Sequence, residues 1–141
     1  MPAESISVEM HIEAPPERVF EYFTRPEAML RWMGEWAALD PTPGGEFSVN
    51  IRGVPVRGSY LELNPPGRIV IAWGHAGSDR LPPGSSTVEV RLHADRGGTR
   101  VEVIHTGLPE PEATRHADGW RHFLKQLAKA ATGDGRAPTS R

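Results

Sequence analysis

Apolar and polar residues alternate in the first part of the chain and again through its middle. The alternation over residues 6–12 predicts a β-strand with one buried face. Pro15 and Pro16 stop this strand, and apolar residues at helical spacing then predict two short helices before residue 34. The period of two returns at residue 36 and predicts six strands separated by glycine- and proline-rich turns. These strands cover residues 36–39, 46–52, 54–63, 68–74, 87–94 and 99–106.

The last long segment has helical periodicity instead. Apolar residues between 111 and 131 fall on one stripe, which predicts a long amphipathic helix. The stripe consists of Ala113, Ala117, Trp120, Leu124, Leu127 and Ala131. Glycines at 133 and 135 are expected to end the helix, and residues 134–141 to form a disordered tail. Gly119 lies inside this helix, where glycine costs about 0.5–1 kcal/mol relative to alanine. We therefore expect a close contact at Gly119 or space left open there.

The order of these elements predicts an α+β fold. Strands in hairpin succession form an antiparallel sheet, and the long C-terminal helix is the only predicted element large enough to cover its apolar face. The expected architecture is a curved antiparallel sheet wrapped around that helix, with the two short helices after the first strand closing one end. Residues 1–133 are expected to form this single helix-grip domain.

Composition narrows the classes of function. The formal net charge of -2 gives no basic surface for nucleic acid, and the absence of cysteine excludes disulfides and thiolate chemistry. No apolar run approaches the roughly 18 residues of a membrane span, and no secretion signal opens the chain. We therefore expect a cytoplasmic protein with no membrane span.

Several short motifs occur in an order that resembles the START-like (SRPBCC) superfamily, and within it the family named after the activator of heat-shock protein 90 ATPase. The motifs are residues 12–20, residues 24–27 with Trp32, Asp40 with residues 43–47, residues 58–63 with Pro66 and Trp73, residues 98–101 with residues 105–109, and His116, Gly119, Trp120, Leu124 and Leu127 of the last helix. This resemblance implies the helix-grip (START-like/Bet v-like) fold. The superfamily includes lipid and hydrophobe carriers, cyclases and resistance proteins, so the resemblance does not select one activity. Eukaryotic chaperone activators carry an additional N-terminal domain, and this chain begins at its first strand, which weakens the expectation of a co-chaperone role.

Aromatic and histidine side chains predict a ligand cavity between the sheet and the last helix. The phase of Val101 and Val103 turns His105 inward, and the helix stripe turns Trp120 toward it. We expect a small hydrophobic or aromatic ligand whose polar end is hydrogen-bonded by His105. The alternative is that these rings are core packing, with His105 bound to a backbone carbonyl. The predicted ligand-binding residues are Trp32, Met33, Tyr60, Trp73, His105, His116, Trp120, Leu124 and Leu127.

Three further expectations concern the entrance of this cavity, its gate and a charged residue that faces it. Phe23, together with Trp32 and Met33, is expected at the entrance, where aromatic and methionine side chains adapt to ligands. The loop over residues 75–85 is a candidate gate. Strand phase also allows Glu62 to face the cavity, where a charge needs a partner.

The sequence predicts no catalytic residue, cofactor or metal site. It lacks a Gly-x-Ser-x-Gly elbow, phosphate-binding loops and paired histidines at metal-ligand spacing, although His75, His105 and His116 can converge in three dimensions. Two alternatives to simple binding stay open. One is a chaperone-associated or stress-related interaction module with an exposed apolar patch. The other is a cyclase or hydrolase in which His105 acts as acid or base, paired with Glu62 or Tyr60. A homodimer also stays open.

Overall fold

A seven-stranded antiparallel sheet covers one long helix in the computed structural model, which describes residues 4–109 and 112–136. The elements are β1 (Glu4–Ile12), α1 (Pro16–Glu21), α2 (Pro26–Met29), β2 (Trp36–Leu39), β3 (Glu46–Ile51), β4 (Val54–Asn64), β5 (Arg68–Trp73), β6 (Ser86–Asp95), β7 (Gly98–Leu108) and α3 (Glu112–Arg136). The strand order is β1-β7-β6-β5-β4-β3-β2, so the first strand pairs with the last. The predicted helix-grip fold is confirmed. No described helix has the length and apolarity that crossing a membrane requires.

The end of α3 differs from the prediction. The helix passes the expected stop at Gly133 and continues to Arg136. A glycine within a helix costs about 1 kcal/mol, which is not enough by itself to end one. The remainder of the predicted tail, residues 137–141, lies outside the described residues.

Two hairpins turn through pairs of residues with positive φ. Arg52 and Gly53 connect β3 to β4 with φ values of 52° and 82°, and Arg96 and Gly97 connect β6 to β7 with φ values of 50° and 81°. Positive φ at both central positions is the geometry of a type I′ turn, whose twist matches that of the flanking strands. The first of these turns carries Arg52 to the rim of the cavity described below.

A β-bulge in β4 overturns the prediction for Glu62. Tyr60 pairs with Ile71, but the next partner of β5 is Glu62, so one extra residue is inserted at Leu61. Because neighbouring side chains alternate between faces, this insertion turns Glu62 away from the interior. The carboxylate is exposed and lies 2.6 Å from Nη1 of Arg68.

The two short helices close one end of the sheet. The prediction that Phe23, Trp32 and Met33 form the cavity entrance is wrong for Phe23 and Trp32, which do not line the cavity. The rings of Phe23 and Trp32 are 2% and 3% exposed and meet edge to face, with centroids 5.0 Å apart. The Trp32 indole donates to the carbonyl of Tyr22 at 2.9 Å, and the Tyr60 hydroxyl donates to the carbonyl of Phe23 at 2.7 Å. These bonds tie α1 and its following turn to the core, because each buried donor needs a partner.

Candidate ligand-binding cavity

A cavity of about 210 Å³ lies between α3 and the part of the sheet formed by β3, β4 and β5. Its lining residues are Met33, Ile51, Arg52, Val54, Val56, Trp73, His75, Arg115, His116, Gly119, Trp120 and Phe123. An apolar cavity of about 150 Å³ is large enough for benzene. The space here therefore suits one substituted ring or a compact aliphatic body.

Gly119 is the point at which α3 leaves room for this cavity. A Cβ built on Gly119 would meet no atom within 4 Å, and the residue is one of those that line the cavity. Of the two explanations expected from the sequence, a close contact or open space, the structure shows open space. The helix thus carries an interior glycine, at a cost in helix propensity, where a side chain would project into the cavity.

A chain of hydrogen bonds holds the aromatic wall of the cavity in place. The Trp120 indole donates to Nδ1 of His105 at 3.1 Å. Indole is only a donor, so His105 carries its proton on Nε2 and donates it to the Ser86 hydroxyl at 2.9 Å. That hydroxyl donates to the carbonyl of Trp73 at 2.8 Å. The rings of Trp73 and Trp120 lie 5.4 Å apart at an interplanar angle of 47°, and the network orients the Trp120 ring and holds the backbone of Trp73.

His105 is a fully buried, neutral member of that network. Burial, followed by the nearby charges of His116 and His75, lowers its pKa to about 3. Both ring nitrogens bond to protein groups, so neither is free to bind the polar end of a ligand or to transfer a proton. Core packing was the alternative considered for this residue, and its partners are Trp120 and Ser86 rather than a backbone carbonyl.

The polar pair expected of an enzyme is not formed by the residues that the sequence suggested. The Tyr60 hydroxyl is buried against the carbonyl of Phe23, and burial, followed by the charge of Asp40, raises the pKa of this phenol above its ordinary value. Glu62 lies outside the sheet beside Arg68. Neither side chain is placed to act with His105.

Trp73 carries a buried hydrogen-bond donor without a partner. The residue is 4% exposed and lines the cavity, and its buried Nε1–H has no hydrogen-bond partner within the described part of the chain. Leaving a buried donor unpaired costs about 1–3 kcal/mol.

Three histidine rings come together beside Trp73. His75 stacks on His116 with centroids 5.6 Å apart, and His105 meets His116 edge to face at 5.1 Å. Nδ1 of His116 donates to the carbonyl of Glu112 at 2.9 Å. Burial, and then the charge of His116, lowers the pKa of His75. Although the sequence allowed these three to converge on a metal, the described residues contain no group of three or more ligands arranged to hold one.

The structure divides the predicted ligand-binding residues into two groups. Four of them line the cavity: Met33, Trp73, His116 and Trp120. The other five are buried in the core and do not line it: Trp32, Tyr60, His105, Leu124 and Leu127. Residues missed by the prediction include Arg52, His75, Arg115 and Phe123. Phe123 follows Trp120 by three positions, so helical spacing from the tryptophan carried a signal for it.

Comparisons with known proteins agree with this architecture. A 136-residue alignment with the activator of 90 kDa heat shock protein ATPase homolog 1 from Homo sapiens shows 26% identity and includes 96% of this chain. The chain spans 39% of that relative's length, and the Mus musculus protein gives the same values.

Solved structures extend the likeness to bacteria and a parasite. An AHSA1-like protein of Rhizobium etli is 41% identical, with a TM-score of 0.75 over 96% of this chain and 86% of that one. An HSP90 activator of Plasmodium falciparum is 25% identical, with a TM-score of 0.74 over 87% of this chain and 92% of that one. The family model described as activator of Hsp90 ATPase homolog 1-like protein matches residues 13–132. With this match over most of its length and the fold it shares with these relatives, the chain belongs to the activator of Hsp90 ATPase homolog 1-like family.

Proposed function

We propose that this protein binds a small, mostly apolar molecule, aromatic or compactly aliphatic, in the cavity between α3 and the sheet. The observation that carries the proposal is the open space at Gly119 beside a cavity bounded by Trp73, Trp120 and Phe123. Protein interiors normally fill such space with side chains, because close packing contributes to stability. Empty space beside an interior glycine lowers the stability of the fold, so it favours a role in ligand binding.

The lining suits a ligand of this kind. Aliphatic side chains from β3 and β4 form one side, and the two tryptophan rings form the other. Aromatic walls bind planar molecules through stacked or edge-on contacts in addition to the removal of apolar surface from water. The hydrogen bond to His105 fixes the Trp120 ring in advance, which lowers the entropy lost on binding.

Ligand titration with a blocked variant tests this proposal. Intrinsic tryptophan fluorescence is followed while the protein is titrated with single-ring aromatics, bicyclic aromatics, medium-chain fatty acids and sterols. Gly119→Phe fills the cavity and should abolish the saturable change in emission. Thr114→Phe places the same ring on an exposed position of α3 and should bind like the wild type.

The result that would contradict the proposal is equally specific. One such result is unchanged emission of the folded wild-type protein with every member of the panel, and the other is a responding compound that Gly119→Phe binds as tightly as Thr114→Phe does. In the first case the cavity binds none of these classes of molecule. In the second case binding occurs elsewhere on the surface.

A second candidate function is assistance to a heat-shock protein 90 chaperone, supported by the 26% identity to the human activator over 96% of this chain. Exposed apolar side chains such as Leu30, Trp36 and Leu61 are available for contact with a protein. The test measures the ATPase rate of the chaperone with and without this protein. Unchanged ATPase activity at saturating concentration would remove this candidate, and stimulation that survives Gly119→Phe would separate it from ligand binding.

A further inference from the structure

Two imidazole rings stack at one end of the cavity. His75, in the loop after β5, lies on His116 of α3 with ring centroids 5.6 Å apart and an interplanar angle of 18°, and both residues line the cavity. His75 is half-buried, so water still reaches part of its ring. Of the described residues that line the cavity, these histidines alone carry side chains that change charge between about pH 5 and pH 8.

Backbone contacts hold His75 at the cavity wall. Its N–H donates to the carbonyl of Leu81 at 2.7 Å, and the N–H of Ala76 donates to the carbonyl of Pro55 at 2.9 Å. His75 also forms a β-bridge with Val56 of β4, and Leu81, which is 1% exposed, anchors the loop in the core. A molecule that enters this end of the cavity therefore covers the His75 ring, because the backbone keeps the ring in place.

Charged groups approach the stacked pair from α3 and from the loop. Glu112 of α3 places its carboxylate 3.7 Å from the guanidinium of Arg115 and 3.5 Å from that of Arg80 in the loop. This carboxylate favours a proton on His75, but it is shared between two arginines. Burial, and then the charge of His116, dominates and lowers the pKa of His75 below its ordinary value.

Two strands bring further titratable or charged side chains to this end of the sheet. β7 supplies His105, which is neutral and has both nitrogens bonded within the protein. β4 supplies Arg57, whose backbone N–H donates to the carbonyl of Gly74 at 2.8 Å and whose guanidinium lies 5.3 Å from the centre of the Trp36 ring. Neither of these side chains carries a negative charge that would favour a proton on His75.

Another histidine lies near the opposite rim of the cavity. Nε2 of His122 is 3.0 Å from the guanidinium of Arg52, which also lies 5.5 Å from the centre of the Phe123 ring. The Glu35 carboxylate accepts the backbone N–H groups of Arg52 at 2.6 Å and Gly53 at 3.4 Å, so this turn carries both signs of charge. His122 is exposed and does not line the cavity, so a bound molecule leaves its hydration unchanged.

We propose that a molecule entering this cavity expels the proton that His75 carries at acidic pH, so that acidification releases the ligand. This inference rests on the proposed binding function and adds a means of controlling it. An apolar molecule replaces water at the ring with atoms that cannot solvate a charge, which destabilises the imidazolium relative to the neutral imidazole. The proton passes to the solvent. Because linkage is reciprocal, a ligand that weakens proton binding is itself bound more weakly where protons are abundant.

Two ring-sized probes that stay neutral at every pH used, indole and toluene, test the inference. Titration calorimetry measures their Kd at about pH 7.5 and about pH 5, on either side of the ordinary histidine pKa. Expelling a proton from a histidine of ordinary pKa would weaken binding about thirtyfold at pH 5. Since burial already favours the neutral ring of His75, we expect binding about five- to tenfold weaker than at pH 7.5.

Three variants assign the effect to a residue. His75→Gln keeps a polar side chain that carries no charge, and its affinities at the two pH values should differ by less than about twofold. His122→Gln removes the histidine near the other rim, and His93→Gln removes one on the outer face of β6, where its side chain is 43% exposed. Both of these controls should keep the pH dependence of the wild type.

A measurement on the wild type does not depend on a variant that folds. The imidazole C–H signal of His75, assigned through bonds from its backbone, is followed against pH with and without saturating indole. With indole bound, His75 should titrate at a lower pH, whereas His93 should titrate at the same pH in both samples. Calorimetry below neutral pH in two buffers of different ionisation enthalpy should also show a proton released on binding.

The outcomes separate this inference from the function on which it rests. If a probe that Gly119→Phe blocks binds equally well at both pH values, or if His75→Gln keeps the full pH dependence, the inference is overturned alone. If neither probe binds but another compound of the panel does, the His75 titration is recorded with that compound, and an unchanged titration overturns the inference. If no compound shows binding that Gly119→Phe blocks, the inference and the proposed function fall together.

Discussion

At the scale of single residues, Gly119 and His105 have complementary effects on the cavity. Gly119 keeps a volume open because it has no side chain, and His105 keeps the neighbouring Trp120 ring in place because one of its nitrogens accepts the indole N–H while the other donates to Ser86. One residue thus provides space and the other provides order. Neither effect requires an exposed reactive group.

We expect Gly119→Ala to stabilise the protein by about 0.5–1 kcal/mol, measured as the free energy of unfolding in urea. The added methyl group would meet no atom within 4 Å. Alanine is also the residue most favourable to a helix, whereas glycine is the least favourable after proline. A loss of stability would mean that a neighbouring group lies closer to α3 than the structure shows.

The low pKa of His105 makes stability depend on pH. The folded-state pKa of about 3 lies below the ordinary histidine pKa of 6.5, so between these values the unfolded chain binds more protons. This contribution is complete above pH 6.5 and is lost as the pH falls, at roughly 1.4 kcal/mol per pH unit.

His105→Gln removes this titration and serves as the matched variant. We expect it to be less stable than the wild type near pH 7 by about 1–3 kcal/mol, since its partners lose hydrogen bonds. The difference in free energy of unfolding should narrow between pH 6 and pH 4, because other titrating groups are common to both proteins. A difference that stays constant over this range would contradict the assigned pKa.

At the scale of elements, the two halves of α3 have different roles. Its first half, through Phe123, borders the cavity, and its second half packs into the core through Leu124, Leu127 and Ala131. The bulge at Leu61 has a comparable effect on β4. It changes which side chains face inward, keeping Tyr60 in the core and placing Glu62 outside.

The division of α3 predicts that Leu124 matters for stability and not for binding. Leu124→Ala should cost about 2–5 kcal/mol, because it leaves a hole in a fully buried region. Lys125→Ala, next to it on the exposed face, should stay within about 0.5 kcal/mol of the wild type. Where both variants are folded, each should bind a cavity ligand with wild-type affinity. Weakened binding by Leu124→Ala would show that the cavity extends deeper along the helix.

The close approach of β4 to β5 predicts a strong effect at Gly58. A Cβ at this position would lie 1.8 Å from the carbonyl oxygen of Ala72, so the two strands would have to separate. Gly58→Ala should destabilise the protein by about 1–3 kcal/mol or more. Gly67→Ala is the control, since its nearest contact would be an ordinary 3.8 Å to the carbonyl oxygen of Leu92. Equal unfolding free energies for the two variants would contradict the spacing of these strands.

At the scale of the whole molecule, the sheet and α3 enclose the cavity from opposite sides, while α1 and α2 close another part of the core. A bound ligand therefore contacts elements far apart in sequence, from Met33 after α2 to Phe123 in α3. Such a ligand adds contacts that exist only in the folded state, so binding and global stability are linked.

This linkage predicts a concentration-dependent rise in the melting temperature. A ligand at ten times its Kd should add about 1.4 kcal/mol and raise the Tm by roughly 4 °C for a domain of this size. Differential scanning calorimetry with a compound that binds the wild type in the fluorescence titration measures this, with Gly119→Phe as the unresponsive control. An equal rise in both proteins would indicate a site other than the cavity.

The order of strands and helices was readable from the sequence because it depends on local periodicity. Alternation over residues 6–12 and the stripe around Trp120 each report which face of an element is buried. Hairpin turns such as the one at Gly97 are equally local, since their backbone angles favour particular residues. These signals, with the family motifs, were enough to predict the helix-grip fold and the inward positions of His105 and Trp120.

Only the tertiary structure decides which of the inward-facing side chains line the cavity. Leu124 and Phe123 are adjacent in sequence, yet one fills the core and the other lines the cavity. The distinction depends on how α3 sits over the sheet, which no local pattern encodes. The partners of His105 are likewise set by three elements meeting, because a buried ring bonds to whatever donor and acceptor the assembled core brings within reach.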